Sequence, residues 1–324
     1  MFHNDKNKGK EVERLSKTFV KVIGRNPRLK RYVMVFGVSG PAARGQASPR
    51  GSDVDFYCIT NYLNPRSERY LRSEFDQVFG ASDVDCGIMV VAPSVLKYPD
   101  LPLYEFTSSG RVIYGKLPRK VSIKEIPKWE GARLLCFKGD PFIAAIEKGN
   151  LEFYYSKMLL GIGEAFLVLE GNYVADNFKR YDRVLKSELV KSMPGFTEEY
   201  KKAHKFRYEG YNYKSKAQLK KKGLFFLQKA WRIFLTSYFD TDYKDALEQL
   251  QHVKPLTFKQ MLGTRVFYTI QYWRFFKKIR FTLSEPFTRE IFMLQEYLQE
   301  GKDEDLRKKI AESWLAAPRF WYSK

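Results

Sequence analysis

The stretch 37–51 (GVSGPAARGQASPRG) constrains this chain more than any other. It sets Gly37, Gly40, Gly45, Gly51, Pro41 and Pro49 between two apolar runs, 32–36 (YVMVF) and 54–60 (VDFYCIT). Runs of that length, rich in β-branched and aromatic residues and bounded by turn formers, read as strands, and so many breakers exclude regular structure throughout the connection. Before the first strand, Val12, Leu15, Phe19, Val22 and Ile23 fall at helical spacing, in a helix ending near Gly24. After the second come a helical stretch at 67–79, a third apolar strand at 84–91 and a short strand within 109–117. Strand, glycine-rich turn, strand, helix, strand predicts an α+β layer: a small mixed sheet with flanking helices.

From about residue 147 the periodicity turns helical. Leu151, Tyr154, Met158, Leu159, Ile162, Phe166 and Leu169 form one apolar stripe stopped by Gly171. Further helices are expected at 181–191, 219–239, 258–281, 290–300 and 303–315. The expected organisation is a domain over 1–117, a linker over 118–140 and a mostly α-helical domain over 141–324. A chain of 324 residues is long enough for two such domains.

Charge divides unevenly across that boundary. The chain carries a formal +20, with 18 basic and 12 acidic residues up to position 117 and 39 and 25 after it. Such an excess fits an anionic partner. The densest segment is 200–222 (YKKAHKFRYEGYNYKSKAQLKKK), where nine cations and one acid alternate with Tyr200, Phe206, Tyr208, Tyr211 and Tyr213. Lys214, Lys216, Lys220, Lys221 and Lys222 are its candidate acceptor-binding residues, because cations beside aromatic rings can track a nucleic-acid backbone and stack its bases. A plain solvated helix-loop-helix surface accounts for the same pattern.

Three cysteines, Cys58, Cys86 and Cys136, form no CxxC pair, which argues against a disulfide framework or structural zinc. The longest apolar stretch, 158–169, is interrupted by Glu164 and falls short of the ~20 residues a membrane span needs. With no apolar leader at the start, a cytoplasmic protein without membrane association is expected.

The residues that carry chemistry are Asp53 and Asp55, at the end of the breaker-rich loop and the start of the second strand. Side chains alternate along a strand, so both project from one face and Val54 from the other. Two carboxylates held together repel unless a cation lies between them, and paired hard oxygens suit Mg2+ or Mn2+. Asp85, entering the third strand, is the natural third carboxylate, with Asp83 the weaker candidate. Upstream, Gly37, Gly40 and Gly45 free the backbone to approach phosphate oxygens, Ser39 adds a hydroxyl and Arg44 a charge-assisted contact.

Ala43-Arg44-Gly45, then Ser52-Asp53-Val54-Asp55, with Asp85 on a later strand, resembles the DNA polymerase beta-type nucleotidyltransferase superfamily, in particular its minimal and kanamycin-nucleotidyltransferase-like branch. Gly110-Arg-Val-Ile-Tyr-Gly115 is similar to the ending of that domain. The resemblance covers about residues 30–117. It implies that Asp53 and Asp55 hold both catalytic metals, and that Asp85 binds the metal nearer the attacking hydroxyl and helps deprotonate it. It also implies that the glycine-serine turn, with Gly37, Ser39, Gly40, Arg44 and Ser52, holds an NTP, ATP first among them. This chain departs from the pattern in replacing the usual Gly-Ser beside Ala-Arg-Gly by Gly37-Val-Ser39-Gly40-Pro-Ala. The implied activity is transfer of a nucleoside monophosphate to an acceptor hydroxyl with release of pyrophosphate. The basic helical part favours RNA or another nucleic acid as acceptor. The same chemistry on a small molecule or protein, and a catalytically inactive nucleic-acid-binding protein, are the alternatives. The oligomeric state is not legible in the sequence.

Overall fold

A computed structural model describes residues 5–48, 54–62, 64–80, 85–97 and 99–252. The chain divides into two compact units, the first running to Glu125 and the second beginning at Ile126. Ser52, Asp53 and Asp83 lie outside the described residues, as do the helices expected at 258–281, 290–300 and 303–315.

The first unit runs α1 (Asp5–Arg25), α2 (Pro27–Tyr32), β1 (Val33–Val38), α3 (Gly40–Ala43), β2 (Val54–Thr60), α4 (Pro65–Phe79), β3 (Cys86–Val91), α5 (Leu101–Ser109) and β4 (Arg111–Gly115). Its four strands lie in the order β3-β2-β1-β4. Strand β1 is antiparallel to β2 and β4, and β2 is parallel to β3, so the sheet is mixed and the architecture α+β, as the layer pattern predicts. Three helices begin with a capping side chain followed at once, or one residue later, by proline. Asn26 accepts from the Arg28 and Leu29 N–H groups, Asn64 from those of Arg66 and Ser67, and Asp100 from that of Leu103. The cap satisfies orphan donors and the proline pre-sets the helical φ.

Strand alternation assigns the two faces of the sheet. Phe36, Val38, Val54, Phe56, Cys58 and Ile88 join Phe19 and Ile23 of α1 and Leu71, Phe75 and Phe79 of α4 in one aromatic core. The Phe36 and Phe56 rings stack at 5.2 Å and 2°, and those of Phe75 and Phe79 at 4.2 Å. Tyr57 lies on the other face, stacked on Phe106 of α5 at 5.0 Å. Buried Glu68 pairs with Arg72 at 3.0 Å, and the same guanidinium donates to the Ile88 carbonyl at 2.8 Å, which ties α4 to β3. Burial raises the pKa of Glu68, and Arg72 opposes the rise.

The second unit contains α6 (Glu130–Lys148), α7 (Leu151–Leu169), α8 (Asn177–Lys186), α9 (Glu188–Lys191), α10 (Phe196–Tyr208), α11 (Lys216–Phe239) and α12 (Tyr243–His252). Helix α7 has the bounds its apolar stripe predicts. Helix α6 starts inside the stretch 118–140 expected to be a linker. Leu134, Leu135 and Cys136 are buried there, and Pro141 within the helix masks its period. Gly223 of α11 has no room for a side chain, because a Cβ would meet Phe142 Cζ at 2.1 Å. No helix among the described residues is long and apolar enough to cross a membrane.

Buried Glu199 of α10 binds α7 and α11 together. Its carboxylate accepts from Tyr155 Oη at 3.0 Å, Lys202 Nζ at 2.9 Å and Lys222 Nζ at 2.7 Å. Burial pushes the Glu199 pKa up, but the hydrogen bonds from Lys222, Lys202 and Tyr155 outweigh it and the net direction is down from 4.5. A depressed carboxylate contributes stability above its unfolded value and loses it as pH falls through the folded one. Both lysine side chains are at least 40% exposed, which weakens the pairs. Glu199→Gln should therefore cost ~1–2 kcal/mol at pH 7 in urea unfolding, with the difference vanishing in acid below the folded pKa. A pH-independent difference would contradict this account of Glu199.

Candidate active site

The topology brings four chain ends to one edge of the sheet. Because β1 runs antiparallel to β2 and β4, and β3 parallel to β2, the end of β1 lies beside the starts of the other three strands. The turn after β1 is held by the Ser39 N–H, which donates to the Asp55 carbonyl at 2.7 Å. On the other side the Val54 N–H donates to the Asp85 carbonyl at 2.8 Å. Asp55 pairs in register with Gly87, and Asp85 stands two residues before Gly87. Alternation therefore assigns Asp55 and Asp85 to the same face of the sheet, opposite the aromatic core that takes Val54.

The closest approach is between the turn and the carboxylate. Gly40 has φ +67°, and a Cβ there would lie 3.0 Å from Asp55 Oδ2. The position favours glycine for its left-handed backbone and because the space belongs to the Asp55 carboxylate. Asp55 is half-buried, Ser39 buried and Asp85 exposed. Ser39 and Gly40 thus border Asp55 at one end of the sheet, and Asp85 enters the strand on the other side of β2.

The remaining glycines and Arg44 have other local roles. Gly37 lies inside β1, paired with Tyr57 and Val112, and a Cβ there would meet the Arg111 carbonyl at 2.3 Å and the Phe106 ring at 2.8 Å. Strand and helix packing alone requires that glycine. Gly45, at φ +68°, has open space around it and turns the chain after α3. Arg44 donates to Gln46 Oε1 at 3.2 Å and to Ser109 Oγ at 3.0 Å. It ties the loop after α3 to the last turn of α5, 65 residues away. Ser109 carries no local motif that points to this link.

Hard oxygen donors suit a divalent cation, and Gly40 sets no side chain of its own against the Asp55 carboxylate. Among the described residues no group of three His, Cys, Asp or Glu is placed to hold a metal ion. No protein-family model matches the chain, and no curated protein matches it.

The basic segment is built differently from its sequence appearance. Tyr200 and Phe206 are buried on the inner face of α10, and Tyr213 sets its ring edge-on to buried Tyr155 at 5.3 Å. Tyr208 accepts a hydrogen bond from Asn177 at 2.8 Å. The interleaving of rings and charges is the period of an amphipathic helix, and burial takes Tyr200 and Phe206 away from any base. Of the lysines, Lys222 is half-buried on Glu199, whereas Lys214, Lys216, Lys220 and Lys221 are exposed.

Proposed function

We propose that this chain is a metal-dependent nucleotidyltransferase, moving a nucleoside monophosphate from an NTP to an acceptor hydroxyl and releasing pyrophosphate. The observation that carries the reading is the contact between the Gly40 turn and the Asp55 carboxylate. A backbone that can approach phosphate and a hard anionic ligand share one space there.

In this reading Asp55, with Asp53 and Asp85, holds Mg2+ or Mn2+. A cation held there would supply charge neutralisation of the triphosphate and the leaving pyrophosphate. The Ser39-Gly40 turn lies against the nucleotide phosphates, and Arg44, through Ser109, keeps that turn in place. The acceptor oxygen forms a bond to the α-phosphorus, the bond to the bridging oxygen breaks, and Asp85 takes the hydroxyl proton. The net positive charge of the helical part favours RNA as acceptor.

Incubation of the purified chain with Mg2+ or Mn2+, each α-labelled NTP and total RNA tests this. Label in RNA supports transfer to RNA. Label only in protein or small molecules keeps the chemistry and moves the acceptor. No transfer with any nucleotide or metal would overturn the reading.

A further inference from the structure

Helix α11 (Lys216–Phe239) contains six basic residues and no acid. Leu219, Phe226, Leu227, Ala230, Trp231, Phe234 and Leu235 turn one side into the core. Gln218, Lys221, Phe225, Gln228 and Arg232 are exposed and recur every three or four residues, which places them on one outer stripe. Lys221, Lys229 and Arg232 flank Phe225 on this side, whereas the exposed Lys216 and Lys220 share the side of buried Gly223 and Leu227.

Two features of the start of α11 work against the helix itself. Cations gather in its first turns, where the macrodipole is positive, and Lys216 and Lys220 are like charges four residues apart. None of Lys214, Lys216, Lys220 and Lys221 has an ion-pair partner among the described residues. In the middle of the stripe Phe225 is 50% exposed, its ring braced by Phe226 at 5.4 Å. The other large exposed rings among the described residues are Tyr62 and Phe178. Phe178 shares α8 with Asp182, and Tyr62 is not on a helix, so Phe225 is the exposed ring on a helix that contains cations and no acid.

We infer that the outer face of α11 binds single-stranded nucleic acid, with a base stacked on Phe225 and phosphates tracked by Lys221, Lys229 and Arg232. An exposed ring between cations is the arrangement that stacks a base while following its backbone. A duplex keeps its bases in the stack and offers the ring no face. A membrane surface requires a broad apolar face, and this stripe presents one ring among polar residues. An acidic peptide would use the cations and leave Phe225 without a role. The inference locates the acceptor contact of the proposed function, but the binding requires neither metal nor nucleotide.

Fluorescence anisotropy with a labelled oligo(U) of about 16 nucleotides, without metal or NTP, is the direct test. Wild-type protein should bind with affinity that falls steeply with salt. Phe225→Ala should weaken binding ~5- to 100-fold with the salt slope unchanged, and Phe225→Trp should restore it. Replacing Lys221, Lys229 and Arg232 by Gln should reduce the log-log salt slope by about 2. Circular dichroism should show each variant as helical as the wild type. The inference is overturned if oligo(U) fails to bind at low salt or if Phe225→Ala binds like wild type. Equal competition by duplex RNA, polyglutamate or phosphatidylserine vesicles would overturn it too. Transfer activity without oligo(U) binding would remove this inference and leave the proposed function; Phe225-dependent binding without transfer would do the reverse.

Discussion

Replacing Asp55 by asparagine should lower nucleotide transfer by about 1,000-fold or more, since a metal ligand at the reacting phosphoryl group is worth several kcal/mol. The unfolding transition should stay where it is. Asparagine has the shape of aspartate, and the substitution keeps the backbone carbonyl that accepts from Ser39. Gly40 still faces a side-chain oxygen or nitrogen in the same space. Radiolabel transfer measured beside urea unfolding separates the two quantities. Full activity in a folded Asp55→Asn variant would mean that the carboxylate is only part of a turn. Loss of both activity and stability would mean that it is structural.

Arg180→Ala should cost about 3 to 5 kcal/mol. The Arg180 side chain is 6% exposed and pairs with Glu164 of α7 at 2.7 Å. It also donates to Tyr173 Oη, to the Ala175 carbonyl at 2.9 Å and to Asn177 Oδ1 at 2.6 Å. One guanidinium thus closes the connection between α7 and α8, and its carbon lies 4.6 Å from the centre of the Tyr173 ring. Truncation leaves a carboxylate and a main-chain carbonyl without their cation, which costs far more than losing an exposed pair. Arg180→Lys should recover only part of the loss, because an ammonium cannot reproduce the planar fork. Chemical denaturation measures both variants, and a loss below about 1 kcal/mol for Arg180→Ala would show that the network relaxes around the gap.

The strands and their order of appearance were legible because breakers bound them so sharply. Val54–Thr60 and Leu151–Leu169 have the bounds their patterns predict. What escaped the sequence depended on distant packing or on prolines with two meanings. Gly40-Pro41 reads as a breaker pair, yet Pro41 lies in the first turn of α3, where its missing N–H costs nothing. Helix α6 was hidden by Gly131, Gly139 and Pro141, although Gly131 and Gly139 are where side chains of α11 come close. At the candidate site, the glycine loop and the Asp-x-Asp pair were readable, whereas the nearness of Gly40 and Asp55 follows from the antiparallel pairing of β1 with β2. The packing of Gly37 under Phe106 and the link from Arg44 to Ser109 join segments about 65 residues apart, and no local pattern encodes them. The exposed ring that matters for binding was missed for a related reason. The sequence offers Tyr200 through Tyr213 as the aromatic set, but only tertiary packing decides which rings turn inward, and on α11 Phe225 turns outward.

The central claim is that Asp55 is a metal ligand beside a nucleotide-binding turn, and a Mn2+ titration tests it most directly. The paramagnetic resonance signal of free Mn2+ is followed as protein is added, with and without a non-hydrolysable ATP analogue. The account predicts that wild-type protein removes the free-ion signal, more strongly when the analogue is present, and that Asp55→Asn loses this uptake while remaining folded. Equal Mn2+ uptake by wild type and Asp55→Asn, or no uptake by the wild type with the analogue present, would contradict it.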